Sequence, residues 1–333
     1  MSRVVRSLLL TLVVTAAAVA GPALEASSQQ PAQSGSGPYS GSLLYVINGD
    51  IWRLNLVTEE QTLFIHPPAG AVVRLAHSPD RRKLSYSVNY LDELYRVLGS
   101  DIVVCDADGS NAETVVHEDE PGYTVGWMTW TDDPSQLIYI KENRGRGAQR
   151  VEQVDLTTRE RSLLIDDGSA PSASPREPLL AYQTRVTALR YRTWSLDRRT
   201  SALRELLDAS WFDDVDNPTF SPDGSAIAFV GAGAGPLPGG TSIAPLLGIR
   251  PALAHDLFGA FYDLWLVGPD GGGLRRVTQI FDMQPEIAWS PSGRYIAVMG
   301  ALQLQIVEVS SGARWSIPRP RASGPLSWES EAP

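Results

Sequence analysis

Few residues in this chain could do chemistry, and they are scattered. The histidines are His66, His77, His117 and His255, and no two have metal-ligand spacing. The run Asp106-Ala107-Asp108-Gly109-Ser110-Asn111 opens like a calcium loop. Its twelfth position, where such a loop needs a bidentate Glu, is His117. Asp and Gly there equally suit a tight hairpin turn, which is the reading taken for this run. No Gly-x-Ser-x-Gly nucleophile elbow occurs. A Ser/His/Asp triad leaves no contiguous signature, and nothing positive points to one. The lone Cys105 lies between Val104 and Asp106 in a predicted strand and reads as a buried, inert thiol. The expectation is no catalytic set, no metal and no cofactor.

Any site must therefore be assembled by the fold, and a recurring phrase reveals that fold. Phe220-Ser221-Pro222-Asp223-Gly224 precedes the strand Ile227 to Phe229, and Trp289-Ser290-Pro291-Ser292-Gly293 precedes Tyr295 to Val298. A third copy is His77-Ser78-Pro79-Asp80, before Leu84 to Val88. First strands recur at Leu75 to Ser78, Met128 to Thr131, Pro171 to Ser174, Pro218 to Ser221, Ile287 to Ser290 and Leu326 to Glu329. Outer strand pairs recur from Asp50, Asp101, Arg150, Tyr191, Asp263 and Leu304. Self-similarity of this kind marks a repeat architecture.

The two sets are offset. The chain begins with Leu43 to Ile47 and an outer half lacking a first strand, and ends with a first strand lacking an outer half. The economical solution is an all-β, six-bladed β-propeller of four-stranded antiparallel blades. Its ring is closed by the C-terminal strand joining the N-terminal blade. Closure also removes the exposed ends that a linear array must cap. The aromatic ending each first strand (Trp130, Phe220, Trp289, Trp328, with His77 in the same slot) is expected to pack between blades.

Composition fits this fold. The 333 residues are 43% hydrophobic and include 29 Gly and 24 Pro, as a turn-rich domain requires. The net charge of −10 disfavours nucleic acid and anionic membranes as partners. Residues 1–20 read as a signal peptide. Arg3 and Arg6 precede an apolar run from Ser7 to Ala20, with Ala18-Val19-Ala20 as the cleavage pattern. That run is shorter than the ~20 residues of a spanning helix, so no stable membrane insertion is expected after cleavage. Residues 21–40, rich in Ser, Gln, Pro and Gly, read as a disordered linker, and 41–333 as the propeller.

The Ser-Pro-Asp-Gly phrase, with Asp263-Leu264-Trp265 and Pro269-Asp270-Gly271-Gly272, resembles the WD-repeat-like unit of the TolB-like propeller family. The resemblance covers residues 41–333 and is weakest at Thr131-Asp132-Asp133-Pro134 and Ser174-Pro175-Arg176-Glu177. It implies a propeller fold. The family includes periplasmic scaffold proteins that bind partners, and propeller modules attached to peptidases.

Function is sought where the repeat is interrupted. The channel mouth should be lined by Arg74, Trp127, Asp216, Asn217 and Glu286, polar and mixed in sign. Two joins on the same face are enlarged. One, Asn89 to Ser100, carries Tyr90, Leu94 and Tyr95. The other, Gly231 to Tyr262, is apolar, and Ala252 to Tyr262 is predicted helical with Leu253, Leu257 and Phe261 on one side. The expected protein is an exported, monomeric, non-catalytic binding or scaffold protein of the cell envelope, periplasmic or at the cell surface. It would contact a protein or ligand through one propeller face. The alternative is a hydrolase or lyase acting at the channel mouth.

Overall fold

The computed structural model describes residues 33–34, 37–187, 190–208, 210–233, 262–282, 285–300, 303–317 and 324–331. Their secondary structure is strand and turn, arranged as six antiparallel four-stranded sheets. From the innermost strand outward, blade 1 is Leu326–Ser330, Ser42–Ile47, Asp50–Asn55 and Gln61–Ile65. Blade 2 is Ala71–His77, Lys83–Leu91, Val97–Asp106 and Glu113–Glu118. Blade 3 is Tyr123–Trp130, Gln136–Asn143, Ala148–Asp155 and Arg161–Ile165. Blade 4 is Ser169–Ala173, Leu179–Arg185, Tyr191–Asp197 and Leu203–Leu207. Blade 5 is Asp214–Phe220, Ile227–Ala232, Tyr262–Val267 and Arg275–Asp282. Blade 6 is Glu286–Trp289, Tyr295–Met299, Leu304–Glu308 and Arg314–Ile317. Gln33–Ser34 adds a short parallel strand to the outer edge of blade 6, opposite Trp315 and Ser316.

Each innermost strand contacts those of the two neighbouring blades, and the six complete a ring. The expected closure is present: Leu43 pairs with Trp328, Leu44 with Ser327 and Tyr45 with Leu326. Both faces of a middle strand pack against a neighbour, so every residue of Ile227–Ala232 and of Tyr262–Val267 is buried. This replaces the period-two alternation of a half-solvated sheet. The buried apolar side chains form clusters at the seams. Leu43, Tyr45 and Leu54 of blade 1 pack on Ala297, Leu304 and Ile306 of blade 6. Equivalent clusters fill the other five seams.

The repeated turn is built from local hydrogen bonds. Ser221 Oγ donates to Asp223 Oδ1 (2.6 Å) and accepts the Ala226 amide (3.0 Å). Ser78 does the same with Asp80 and the Lys83 amide. The Ser221 bond is the largest effect holding the Asp223 carboxyl below its ordinary range. Gly224 has φ +76°, and a Cβ there would lie 2.9 Å from Ser174 Oγ of the preceding blade. In the two degraded units the hydroxyl survives: Thr131 Oγ1 accepts the Asp133 amide, and Ser174 Oγ accepts the amides of Arg176 and Glu177.

Small residues of one innermost strand bond to the aromatic slot of the next. Trp130 Nε1 donates to Ala76 O (3.2 Å), the Ala173 amide to Thr129 Oγ1 (3.0 Å) and the Phe220 amide to Ser172 Oγ (3.0 Å). Trp289 Nε1 donates to Thr219 O (3.0 Å), and His77 Nδ1 lies 2.8 Å from Ser327 Oγ. The slot therefore packs between blades, as its repetition suggested. Burial, followed by the charges of Arg81 and Arg53, lowers the His77 pKa to about 3 and keeps this ring neutral.

The closing strand has additional anchors. Glu329, which stands in the turn-hydroxyl position, accepts Ser42 Oγ (2.6 Å) and Arg53 Nε (2.7 Å) and forms an ion pair with the same guanidinium. Arg81 donates to Trp328 O (2.5 Å), and the Glu331 carboxylate accepts the amide and hydroxyl of Ser292 in blade 6. Trp328 is fully buried. Trp328→Ala should destabilise the protein by about 3–5 kcal/mol, the usual cost of deleting a buried tryptophan. Urea unfolding followed by circular dichroism measures this; a loss under about 1 kcal/mol would mean that the closing strand is not integral to the ring.

Candidate binding site at the channel mouth

Counting four residues back from each turn hydroxyl reaches equivalent positions on the innermost strands. These are Arg74, Trp127, Ala170, Asn217 and Glu286, with Pro325 in blade 1. Three of them adopt left-handed backbone: Trp127 (φ +48°), Ala170 (+46°) and Asn217 (+54°). A register shift occurs at the same place in each of those strands. Such bulges re-aim side chains, and a Trp in this conformation is uncommon enough to require support.

The support comes from across the ring. The Arg74 guanidinium lies over the Trp127 ring, 4.2 Å from its centroid, and pairs with Glu286 Oε1 at 2.7 Å. That ion pair ties blade 2 to blade 6, past blade 1 between them. Asn217 is buried and donates through Nδ2 to Pro285 O (2.9 Å). Arg74 and Trp127 also border two spaces: a channel of about 220 Å³ and a wider mouth of about 800 Å³. The channel wall includes the small residues Ala76, Thr129, Ser172, Thr219, Ala288 and Ser327.

The charged residues lining the mouth are Arg74, Glu142, Arg185, Asp214 and Asp216. Asp214 accepts the Tyr262 hydroxyl (2.5 Å). Asp216 Oδ1 accepts the Asn217 amide (2.8 Å). Burial pushes the Asp216 carboxyl up to about 6. The Asn217 amide and Arg74 oppose that rise, while Glu286 and Asp214 add to it.

The predicted mouth residues Arg74, Trp127, Asp216, Asn217 and Glu286 are thus brought together, all within innermost strands. Sequence reasoning missed Ala170, Pro325, Asp214, Gln183, Arg185 and Tyr191. Ala170 and Pro325 could have been found by the four-residue count. The others come from second and third strands or an earlier strand position, which the repeat phrase does not mark.

The enlarged join of blade 2 is a continuous hairpin. Asn89 pairs with Ala71 at the mouth, and the ladder continues through Tyr90–Gly99 to Leu91–Val97. Tyr90 turns inward, packing on the blade 1–2 core and donating to Asp101 Oδ2 (2.7 Å). At the tip, Leu94, Tyr95 and Leu98 are 72%, 84% and 62% exposed. The tip is shaped by Asp92, whose Oδ1 accepts the amides of Leu94 and Arg96 and whose Oδ2 accepts Arg96 Nε. Leu253, Leu257 and Phe261 lie outside the described residues, as does the predicted helix except for Tyr262, which starts a strand. At Asp106–Asn111, Asp106 pairs with Lys83 Nζ and Asp108 accepts Ser110, as in a self-contained hairpin turn.

Ring, seams and mouth define a six-bladed β-propeller with a polar, partly aromatic mouth. TolB from Acinetobacter baumannii shares this fold at TM-score 0.64 and 16% identity, over 88% of this chain and 68% of that one. A putative TolB from Agrobacterium tumefaciens is similar at TM-score 0.57 and 18% identity, over 76% and 83%. A chain of a nidogen/laminin complex matches at TM-score 0.60 and 13% identity, over 86% and 97%. No family model matches the chain, and no curated protein does. At such identities the likeness is one of fold.

The Asp216 shift has a consequence for stability. Its folded pKa lies above the unfolded value of 3.8, so ionisation destabilises the fold. That penalty is absent below about pH 4 and complete above about pH 7. Asp216→Asn should therefore stabilise the protein by roughly 1–3 kcal/mol near pH 7.5 and leave it nearly unchanged near pH 4. Denaturant midpoints at the two pH values test this; an equal shift at both would refute the burial effect.

Proposed function

We propose that this chain is an exported, monomeric, non-catalytic binding or scaffold protein of the cell envelope, contacting a protein partner through its mouth face. The observation that carries this reading is the apolar tip Leu94-Tyr95-Leu98, exposed beside a mouth of about 800 Å³ on the same face. Exposed aromatic and aliphatic side chains next to a polar concavity suit a protein interface. The fold shared with TolB structures agrees with a scaffold role. Export rests on the basic start at Arg3 and Arg6, the apolar run and the Ala18-Val19-Ala20 pattern.

One observation favours the alternative, a hydrolase or lyase at the mouth. Asp216, with a pKa near 6 in a cavity, has the character of a general acid or base. The hairpin tip has no part in such a reaction, whereas partner binding uses it directly.

Two measurements test the proposal. Crosslinking co-purification from the native host should recover at least about tenfold less partner with Leu94→Ser/Tyr95→Asn than with the parent chain, the scale of losing an interface anchor. Asn suits the left-handed backbone at Tyr95 (φ +59°). Unchanged recovery would remove the hairpin from the interface. Mass spectrometry of the exported protein should find Gly21 as its first residue; an intact Met1 would contradict cleavage.

A further inference from the structure

The floor of the mouth shows how this ring neutralises an inward-facing carboxylate. Glu286 holds the Arg74 guanidinium at 2.7 Å, and the Trp127 ring covers it. Asp216, on the neighbouring blade, has no such partner. Its Oδ1 accepts the Asn217 amide, and no ion pair or second hydrogen bond reaches it among the described residues. Arg74 is the cation that acts on it from nearby, and Arg74 is already paired with Glu286. Among the described residues, the other groups around it add no compensating charge within the cavity. Asp214 on its own strand and Glu286 on blade 6 are acidic, Tyr262 of blade 5 and Tyr191 and Gln183 of blade 4 are neutral, and Glu142 of blade 3 is acidic. Arg185 is exposed at the rim. A carboxylate placed in a cavity wall without a cation is costly to the fold, and a ligand cation would relieve that cost.

We infer that the mouth binds a primary alkylammonium group, as presented by a lysine side chain or a free polyamine, with Asp216 as its counter-ion. This rests on the reading of the mouth face as a binding surface and gives that site its ligand chemistry. An ammonium fits better than a guanidinium. Asp216 Oδ1 already accepts the Asn217 amide, so an ammonium needs only the oxygen left without a protein partner among the described residues, whereas a bidentate guanidinium would have to share Oδ1 with that amide. It also fits better than a divalent metal, since no group of three His, Cys, Asp or Glu side chains able to hold one occurs among the described residues. The mouth, at about 800 Å³, has room for the alkyl stem, and Tyr191 and Trp127 lie in its wall.

The test is a titration of the full-length exported protein, followed by tryptophan fluorescence and calorimetry. The probes are spermidine, and lysine blocked at its backbone amine and carboxyl. Binding of either near pH 7.5 is expected, weakening about tenfold near pH 5 as a carboxyl of pKa about 6 is protonated. Asp216→Asn, checked as folded by its denaturation curve, should weaken binding by about tenfold or more. Spermidine binding alone would assign the site to free polyamines, and binding of the blocked lysine to a partner's side chain; both support the inference. Equal affinity in Asp216→Asn, no binding of either probe, or calcium binding through Asp216 in place of the amines would overturn it. The hairpin variant Leu94→Ser/Tyr95→Asn should bind the probes normally. Loss of partner capture in that variant, with no amine binding to the parent, overturns this inference alone. Amine binding through Asp216, with partner capture unchanged in that variant, overturns the hairpin reading alone.

Discussion

Everything in this molecule depends on closing a ring whose last seam has no covalent continuity. Five blades are strung in order along the chain. The blade between the sixth and the second is assembled from both ends, with Leu326–Ser330 laid beside Ser42–Ile47. The chain has a single cysteine, so a disulfide cannot staple these ends. The seam is held instead by burial of Trp328, by Glu329 on Arg53 and Ser42, and by the reach of Glu331 to Ser292. Glu329 replaces the hydroxyl that each other blade places there. The repeat is broken at the one position where a longer, charged side chain can bind two strands of the opposite end.

Closure also makes the site. Equivalent residues of six innermost strands meet around one axis, so a change at one repeat position becomes a change in one sector of the mouth. Arg74, Trp127 and Glu286 occupy the same repeat position in three blades, yet together they form a stacked, ion-paired floor. The left-handed bulges at Trp127, Ala170 and Asn217 are strained features of otherwise regular strands, and they cluster at this floor. Strain of that kind persists where surrounding contacts over-determine it. Asp216 is a second departure from a stability optimum in the same few residues. These local concessions of stability fall together in one cavity.

The two faces of the scaffold are unequal in information. On the turn side, hydroxyl-to-amide and hydroxyl-to-carboxylate bonds repeat from blade to blade, and even the degraded units keep the hydroxyl. On the mouth side, the hairpin from Asn89 to Ser100 presents Leu94, Tyr95 and Leu98 exposed at its tip. Repetition serves closure, and its interruptions carry the individual chemistry.

The amino-acid sequence determined the blade. Ser-Pro-Asp-Gly is a turn because Ser221 and Asp223 bond groups at most five residues away, and such bonds are specified by local order alone. The offset between first strands and outer halves likewise dictated the closure, since only a ring pairs both unmatched ends. Tertiary structure decided the partners. Arg74 and Glu286 stand 212 residues apart, and nothing local to either shows that one neutralises the other. The same holds for Asp216. It sits two residues from Asp214 in the bulged strand of blade 5, and its raised pKa arises first from burial, with Glu286 on another blade and Asp214 on its own strand adding to it. Tyr90 read as part of the exposed hairpin until the ladder turned it inward onto Asp101. Local hydrogen bonding is legible residue by residue. Desolvation and long-range charge exist only once the ring has closed.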